Sequence, residues 1–265
     1  TIGDLPSAAS RSPEEGAPRL SLPPAAAGGH VEYVVREELG RGGMGIVELA
    51  TQRALSRDVA IKRLIAPSES HIAALLREAT IAGQLEHPNI VPVHALVSTP
   101  SGPSVVMKRV TGTDWQVRIR AGNTPLEAHI DVLVQLCRAL SFAHSRNIVH
   151  RDIKPANVMI GEYGEVYLVD WGLARHLEDG ALTGQRIAGT PAYMAPEMIA
   201  GDIDVRTDVY LLGACLHEVL VGTPRHLGEG LSEVLTAAQE SRPAAYPATV
   251  PADLAAICNR ACARD

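Results

Sequence analysis

The 265-residue chain is 46% hydrophobic and 20% charged, and its formal net charge is −6 at pH 7. That length suffices for one large domain or for two lobes with a buried core. The mildly acidic balance argues against a nucleic-acid-binding protein, which normally carries a basic face. No apolar run approaches the roughly 18 residues of a membrane-spanning helix, so we expect no membrane contact within this segment. The four cysteines lack a CxxC pair and the ten histidines lack paired ligand spacing, so we predict reduced thiols and no structural metal.

Residues 1–29 are rich in Pro, Ala, Ser and Gly and lack apolar periodicity. Such a composition buries too little apolar surface to offset the entropy of ordering, so we predict a flexible leader. The chain begins with Thr and no basic-then-apolar signal follows, which leads us to expect a segment of a longer protein.

Residues 30–110 predict a small lobe that is rich in β-structure. The stretches VEYVVREEL, GIVELATQ and RDVAIKRL are β-branched and separated by turn residues, which indicates three consecutive antiparallel strands. SHIAALLREATIAGQL has amphipathic spacing and indicates a helix that ends at EHPN. Strand-like runs around VPVHALV and PSVVMKRV complete this lobe.

Residues 111–265 predict a second lobe that is mainly helical. EAHIDVLVQLCRALSFAHSR has apolar residues at the spacing of a long buried helix. VYLLGACLHEVLVG is apolar nearly all round, as in a helix through the middle of a lobe. LSEVLTAAQE and PADLAAICNRACARD are typical of surface helices. The pattern predicts an α+β chain of two lobes, without internal repeats.

Gly40, Gly42 and Gly45 form a GxGxxG pattern in LGRGGMGIVELA. By itself this pattern is a weak signal, and a dinucleotide-binding fold would place it between a strand and a helix. Here β-type sequence lies on both sides, which favours a glycine-rich hairpin whose backbone N–H groups lie over a triphosphate. Val47 would then provide an apolar roof for a flat base.

Lys62 ends the apolar stretch VAIK in the third predicted strand. A buried Lys costs free energy unless it is paired, and Glu78 on the following helix is the natural partner. A snorkelling surface Lys is the usual alternative. The order of loop, lysine and helix acid favours the pair, which would hold the ammonium beside two phosphates.

The stretch VHRDIKPANVMI contains Lys154, although only three of the 24 Lys and Arg residues are lysines. The chain resembles the eukaryotic-type Ser/Thr protein kinases from about Tyr33 to Asp265. Their motifs occur here in the same order, namely the glycine loop, VAIK, Glu78, HRDIKPAN, VDWG and APE. The resemblance implies a bilobal protein kinase fold. Abundant Ala and Arg with scarce Lys suggest a GC-rich genome, and the stretches DIKPANVMI and LARHL look similar to those of bacterial members of the family.

The resemblance also implies roles for the motif residues, since phosphoryl transfer depends on positioning and charge. Asp152 would accept or orient the proton of the substrate hydroxyl. Lys154 would touch the γ-phosphate, where a guanidinium would crowd its neighbours. Asn157 and Asp170 would hold Mg²⁺, or Mn²⁺ as an alternative, because these ions take oxygen ligands. Thr190 matches the threonine that contacts the catalytic Asp in Ser/Thr kinases, which implies Ser/Thr specificity.

Residues 107–110 match the hinge between the lobes. Met107 would be the gatekeeper beside adenine, and the backbone C=O of Lys108 and N–H of Val110 would pair with the adenine edge. The Lys108 side chain itself is expected to be an exposed charge. Ala60 and Met159 would lie over and under the base, and Asp114 would meet the ribose. The ATP site that the resemblance implies consists of Leu39, Gly40, Arg41, Gly42, Gly43, Met44, Gly45, Val47, Ala60, Lys62, Met107, Lys108, Val110, Asp114, Asn157, Met159 and Asp170.

Arg151 precedes the catalytic Asp, and in kinases with this pair the arginine usually docks a phosphorylated activation loop. Arg175 matches a second basic position of the same pocket. Thr183 is the remaining hydroxyl of the loop once Thr190 and Tyr193 are assigned to the substrate-binding turn. We therefore expect Thr183 to be a regulatory site whose phosphate bonds to the two arginines.

Two features depart from the family pattern. Trp171 replaces the usual Phe of the DFG motif, and Ala82 stands where a bulkier residue is common. We predict that these two side chains touch and that Trp171 resists flipping out, because a larger ring can fill the space beside a smaller neighbour. The chain stops before the arginine that pairs with the APE glutamate, Glu197, and before the last helices, so we expect a lobe truncated at its C-terminal end.

The leading interpretation is an active kinase that moves the γ-phosphate of ATP to Ser or Thr of protein substrates and autophosphorylates its activation loop. A dimer would allow one copy to phosphorylate the activation loop of the other. A pseudokinase scaffold is the alternative, and it would be favoured by loss of Lys62, Asp152 or Asp170, all of which are present. Small-molecule kinases of related fold generally lack GTPxYMAPE. The resemblance implies a cytoplasmic domain, which in many bacterial members belongs to a longer, membrane-anchored protein.

Overall fold

The computed structural model describes residues 33–42, 45–99, 102–179 and 187–264, so the predicted leader lies outside the described residues. Antiparallel strands form the sheet of the N-terminal lobe in the order β1-β2-β3-β5-β4. The register pairs Val47 with Lys62 and Ala60 with Met107. The strand after the glycine-rich loop, the strand of Lys62 and the strand that leads into the hinge therefore lie side by side. The strand bounds are β1 Tyr33–Arg41, β2 Gly45–Gln52, β3 Arg57–Leu64, β4 Val93–Thr99 and β5 Gly102–Lys108.

Helix α1, Glu69–Gly83, packs on one face of this sheet. Leu75 and Ala79 on its inner side share a hydrophobic cluster with Val105 of β5. Because side chains three and four positions apart lie on the same side of a helix, this packing also turns Glu78 toward the sheet.

The C-terminal lobe is built mainly from helices, with short strands beneath the N-terminal sheet. Strands β6, β8 and β9 form a three-stranded antiparallel sheet, and β7 pairs with β10. The strand bounds are β6 Gly112–Asp114, β7 Ile148–Val149, β8 Val158–Gly161, β9 Val166–Leu168 and β10 Arg175–His176. The helix bounds are α2 Trp115–Ala121, α3 Leu126–His144, α4 Pro196–Ala200, α5 Val205–Val221, α6 Leu231–Glu240 and α7 Ala252–Ala261.

Helix α5 lies in the core of this lobe. Its residues Tyr210, Leu211 and Ala214 are at most 2% exposed, and the helix packs against α3 on one side and α7 on the other. The neighbours on both sides explain why its sequence is apolar nearly all round. The same core reaches Trp171 and Ile81, so it continues upward into α1.

The α+β fold of two lobes is confirmed, and every strand and helix predicted from periodicity is present within a few residues of its expected bounds. The short elements α2, α4 and β6 to β10 were not predicted, because two to seven residues are too few to display a period. All four cysteines are free, with Cys137 exposed and the other three buried. Within the described ranges, no helix combines the length and the apolar character that crossing a bilayer requires.

Candidate active site

A cleft of about 630 Å³ lies between the sheet and the helical lobe. Every described residue of the predicted ATP site lines it except Asp114 and Asn157, while Gly43 and Met44 lie outside the described residues. Gly45 must lack a side chain, because a Cβ there would come within 2.4 Å of the Arg63 carbonyl oxygen. The cleft is also lined by residues that sequence reasoning did not select, namely Val91, Arg109, Thr111, Gly112, Ala156 and Val169.

Lys62 Nζ lies in the cleft, 2.6 and 2.8 Å from the carboxylate oxygens of Glu78 and 3.2 Å from Asp170 Oδ1. The predicted pairing of Lys62 with Glu78 is therefore present. Burial alone would lower the pKa of Lys62, but the two carboxylates outweigh it and the pKa is raised. Burial raises the pKa of Glu78 despite the opposing effect of Lys62, whereas for Asp170 the nearby Lys62 overcomes burial and lowers the pKa. The ammonium thus stays charged, and Asp170 stays ionised with its side chain 48% exposed toward the cleft.

Asp152 is held on both of its carboxylate oxygens. Oδ1 accepts a hydrogen bond from the Thr190 hydroxyl at 2.7 Å, and Oδ2 lies 2.8 Å from Lys154 Nζ and 2.9 Å from Asn157 Nδ2. Lys154 Nζ also donates to Thr190 Oγ1 at 2.7 Å. The N–H of Val169, the residue before Asp170, donates to the Asn157 carbonyl at 2.9 Å, which joins this group to the Lys62 group.

Asp208 anchors the catalytic loop, and sequence reasoning missed it. This fully buried carboxylate accepts hydrogen bonds from the backbone N–H groups of His150 and Arg151, both at 2.9 Å, and lies 2.8 Å from His144 Nε2. Arg151 has a φ of 71°, a region that non-glycine residues rarely adopt, so its backbone needs such support. The only signal in the sequence was an Asp at the start of an otherwise apolar helix.

His150 links the catalytic loop to Val169, the residue before the predicted metal ligand Asp170. The backbone N–H of Asp152 donates to His150 Nδ1 at 3.2 Å, so the ring proton belongs on Nε2, which faces the Val169 carbonyl at 3.3 Å. The Trp171 ring meets the imidazole nearly edge-on, with centroids 4.6 Å apart. Trp171 is 1% exposed and shares one hydrophobic cluster with Ala82, so the tryptophan lies inside the core rather than in solvent.

Arg151 and Arg175 bring two guanidinium charges into one region. Arg151 is 7% exposed, donates from Nη1 to the Leu173 carbonyl at 3.2 Å, and has an Nε without a hydrogen-bond partner among the described residues. Burial and the charge of Arg175 both lower the pKa of Arg151. Thr183, the predicted phosphorylation site, lies outside the described residues.

Tyr193 and Glu218 form a second buried contact that the sequence did not indicate. The Tyr193 hydroxyl donates to Glu218 Oε2 at 2.6 Å, and Gln116 Nε2 donates to Glu218 Oε1 at 3.0 Å. Burial together with the Glu218 carboxylate raises the pKa of Tyr193. The contact fixes the segment after Thr190 against α5 and α2.

One expectation about the hinge region needs correction. The Lys108 side chain is not an exposed charge, since it is half-buried and its Nζ hydrogen-bonds to the Tyr167 hydroxyl. Asp114 is not among the residues that line the cleft, and its Oδ1 accepts a hydrogen bond from the Val117 N–H, which caps α2. Among the described residues, Glu197 makes no ion pair within 4.0 Å.

The chain matches a known family and several bacterial proteins. The family model described as "Protein kinase domain" matches residues 33–250. The chain is 39% identical to the serine/threonine-protein kinase PknB of Mycobacterium tuberculosis, over 88% of this chain and 40% of that protein. It is 36% identical to a probable serine/threonine-protein kinase PknB of Bifidobacterium longum, over 92% of this chain and 38% of that protein.

A probable serine/threonine-protein kinase of Streptomyces coelicolor is 35% identical, over 88% of this chain and 37% of that protein. The chain thus spans about 40% of the length of the curated relatives it matches. The family match covers both lobes and the whole cleft described above. The chain therefore belongs to the protein kinase domain family.

Proposed function

We propose that this chain is the catalytic domain of a protein kinase that transfers the γ-phosphate of ATP to Ser or Thr hydroxyls of proteins. The observation that carries the proposal is the joined network of Lys62, Asp170, Asn157 and Asp152 at one end of the cleft. The names of the matched relatives support the Ser/Thr class.

In the proposed reaction the substrate hydroxyl lies against Asp152. Its oxygen attacks the γ-phosphorus while the bond from that phosphorus to the β,γ-bridging oxygen breaks, and the hydroxyl proton passes to the Asp152 carboxylate. Thr190 and Lys154 hold that carboxylate in one rotamer through bonds of 2.7 and 2.8 Å. Lys154 is a compact ammonium beside Asp152 and can also contact the γ-phosphate. Asp152 and Lys154 together would therefore align the attacking hydroxyl with the phosphoryl group.

A divalent cation fits the donor set formed by Asn157 and Asp170. Asn157 uses its Nδ2 in the hydrogen bonds to Asp152, which leaves the amide oxygen for a ligand. Asp170 is ionised and partly open to the cleft. Hard oxygen donors of this kind favour Mg²⁺, with Mn²⁺ as an alternative. When bound, such an ion neutralises charge on the phosphates.

The remaining residues of the cleft divide into a phosphate end and a base end. The glycine loop and Lys62 would contact the phosphates, and Ala60, Val47 and Met159 would enclose the base. Met107 would border the adenine, whose edge would pair with the backbone of residues 108–110. The free oxygen of Asp114 is the atom that would meet the ribose.

Regulation by Thr183 phosphorylation remains part of the proposal. Burial and then the charge of Arg175 lower the pKa of Arg151, and a phosphate would bridge the two guanidinium groups. Autophosphorylation between two copies would supply that phosphate. We further propose a cytoplasmic location, where ATP is available and where reducing conditions keep the four free cysteines as thiols.

The test is transfer of radiolabelled phosphate from ATP to casein by the purified chain with Mg²⁺, followed by phosphoamino-acid analysis. We expect label on Ser and Thr, and none with Asp152→Asn or Lys62→Met. Nucleotide binding without any transfer would support a pseudokinase instead. ATP consumption with a small alcohol or amine but without labelled protein would support a small-molecule kinase.

A further inference from the structure

The hinge carries two neighbouring basic side chains that reach opposite lobes. β5 ends at Lys108, whose Nζ lies 2.5 Å from the Tyr167 hydroxyl and 4.6 Å from the centre of the Tyr167 ring. Tyr167 is 8% exposed and belongs to β9 of the C-terminal lobe, where it pairs with Met159, a residue of the cleft lining. Lys108 therefore connects the hinge to the strands under the cleft.

Arg109 makes the corresponding contact with the N-terminal lobe. Its Nη1 lies 3.1 Å from Asp58 Oδ2 in β3, and the two side chains are 29% and 35% exposed. Asp58 precedes Val59, which pairs with Lys108 in the sheet. Successive residues of the hinge are thus bound to different lobes, one through an ammonium and one through a guanidinium.

A small cavity borders the side chains of the hinge. Its volume is about 150 Å³, and its lining includes Lys108, Arg109, Tyr163 and Tyr167. Tightly packed apolar side chains would immobilise a backbone without polar contacts, but here a gap takes their place. The two side-chain contacts add to the sheet pairing of Lys108 with Val59, to the bond from the Lys108 N–H to the Pro92 carbonyl (2.9 Å) and to the bond from the Glu162 N–H to the Thr111 carbonyl (3.1 Å).

We propose that Lys108 and Arg109, with their partners Tyr167 and Asp58, form a hinge strap that fixes the backbone of residues 108–110 for nucleotide binding. The inference rests on the proposed ATP site, because it concerns how well the hinge presents its carbonyl and amide groups. A binding surface held in place before the ligand arrives loses less entropy on binding. The strap residues are positioning residues, since their side chains act on the nucleotide through the backbone.

The proposal assigns the effect to binding rather than to chemistry. Loss of the strap would raise the KM for ATP and the Kd for ADP, because both report on the hinge. It would leave kcat unchanged, because Asp152 and Lys154 lie in a separate network. The KM for a peptide substrate would also stay constant. A purely structural role for these residues would lower the melting temperature without changing nucleotide affinity.

The experiment compares Tyr167→Phe, Lys108→Met and the double variant. Tyr163 lines the same cavity but is 91% exposed and makes none of the strap contacts, so Tyr163→Phe is the matched control. We expect each strap variant to raise the ADP Kd about two- to tenfold, the range of one lost hydrogen bond. The double variant should cost no more than Lys108→Met alone, since both remove the same contact. Hydrogen exchange at the amides of residues 108–112 should quicken in parallel.

Different failures have different meanings. If the wild-type chain binds neither ATP nor ADP, the proposed function itself is overturned. If the wild type binds nucleotide and the strap variants bind it equally well at temperatures far below their melting points, the hinge strap is overturned and the ATP site stands. An equal effect of Tyr163→Phe would likewise reject the strap, because that side chain makes none of its contacts.

Discussion

Trp171 offers a prediction whose sign depends on competing magnitudes. The side chain is 1% exposed, and its indole N–H has no hydrogen-bond partner among the described residues. Phe, which the family usually has at this position, would remove the N–H and keep an aromatic ring against His150. We predict that Trp171→Phe leaves the free energy of unfolding unchanged or increases it, although it makes a buried side chain smaller.

The magnitudes decide that direction. A buried donor without a partner costs about 1–3 kcal/mol, which Phe would recover. The smaller ring loses packing contacts, which costs about 0.5–1.5 kcal/mol when a buried side chain loses a small volume. The net effect lies between about 0.5 kcal/mol of destabilisation and about 2.5 kcal/mol of stabilisation. Trp171→Ala, by contrast, should cost about 3–5 kcal/mol because it empties the site beside His150.

Urea unfolding followed by far-UV circular dichroism measures both variants. Fluorescence is unsuitable, since Trp115 is the only other tryptophan and the substitution removes half of the signal. Trp171→Phe should keep wild-type phosphotransfer, because Asp170 and His150 retain their contacts. A loss of more than about 2 kcal/mol with Phe would refute the reasoning, as it would show that the indole N–H is satisfied in the folded protein.

Two further outcomes test the buried polar groups. Asp208→Asn should destabilise the protein by about 2–4 kcal/mol and reduce kcat. An amide has one acceptor oxygen, whereas the donors around Asp208 use two, so the strained Arg151 backbone loses its support. Wild-type values of the unfolding free energy and of kcat in this variant would contradict the role of Asp208. Acidification from pH 6.5 toward 4 should lower stability, because burial lowers the pKa of His226 to about 4. The unfolded chain then binds a proton that the folded chain excludes, so this contribution is complete above pH 6.5 and lost as pH falls through the folded pKa. Unfolding curves at several pH values measure it, and His226→Asn with an equally steep profile would rule it out.

Local pattern was sufficient for much of the fold. The strands around Val47 and Val59 alternate or run apolar over seven or eight residues, and α3 and α5 repeat their apolar positions over several turns. The site residues that belong to contiguous motifs, such as Asp152 and Asn157, could be predicted for the same reason. In a motif, the chemistry and the spacing are written in one short stretch.

Contacts between distant parts of the chain could not be predicted in this way. Asp208 meets His150 across 58 residues, and Lys108 meets Tyr167 across 59. Nothing in the sequence near Lys108 distinguishes a surface lysine from one held by a tyrosine of the other lobe. The N-cap role of Asp114 was missed for a related reason, since it depends on where the short helix α2 begins.

The use of lysine itself was a signal that sequence reasoning applied at only two positions. All three lysines hydrogen-bond through Nζ: Lys62 to Glu78, Lys108 to Tyr167 and Lys154 to Asp152. Each ammonium lies 2.5–2.8 Å from its partner, a distance at which a compact charge fits and a planar guanidinium displaces its surroundings. A chain that otherwise uses Arg thus has Lys where a point charge must reach a confined acceptor.

That argument predicts that Lys→Arg is not conservative in this protein. Lys62→Arg and Lys154→Arg should each lower kcat/KM by more than about tenfold, because the displaced carboxylates are those of the catalytic network. Lys108→Arg should raise the KM for ATP and leave kcat unchanged. Arg138→Lys, on the exposed side of α3, is the matched reverse substitution and should change neither parameter. Steady-state kinetics at one salt concentration compare the four variants. Wild-type activity in Lys154→Arg would contradict the argument, because it would show that a positive charge of either shape satisfies Asp152 and Thr190.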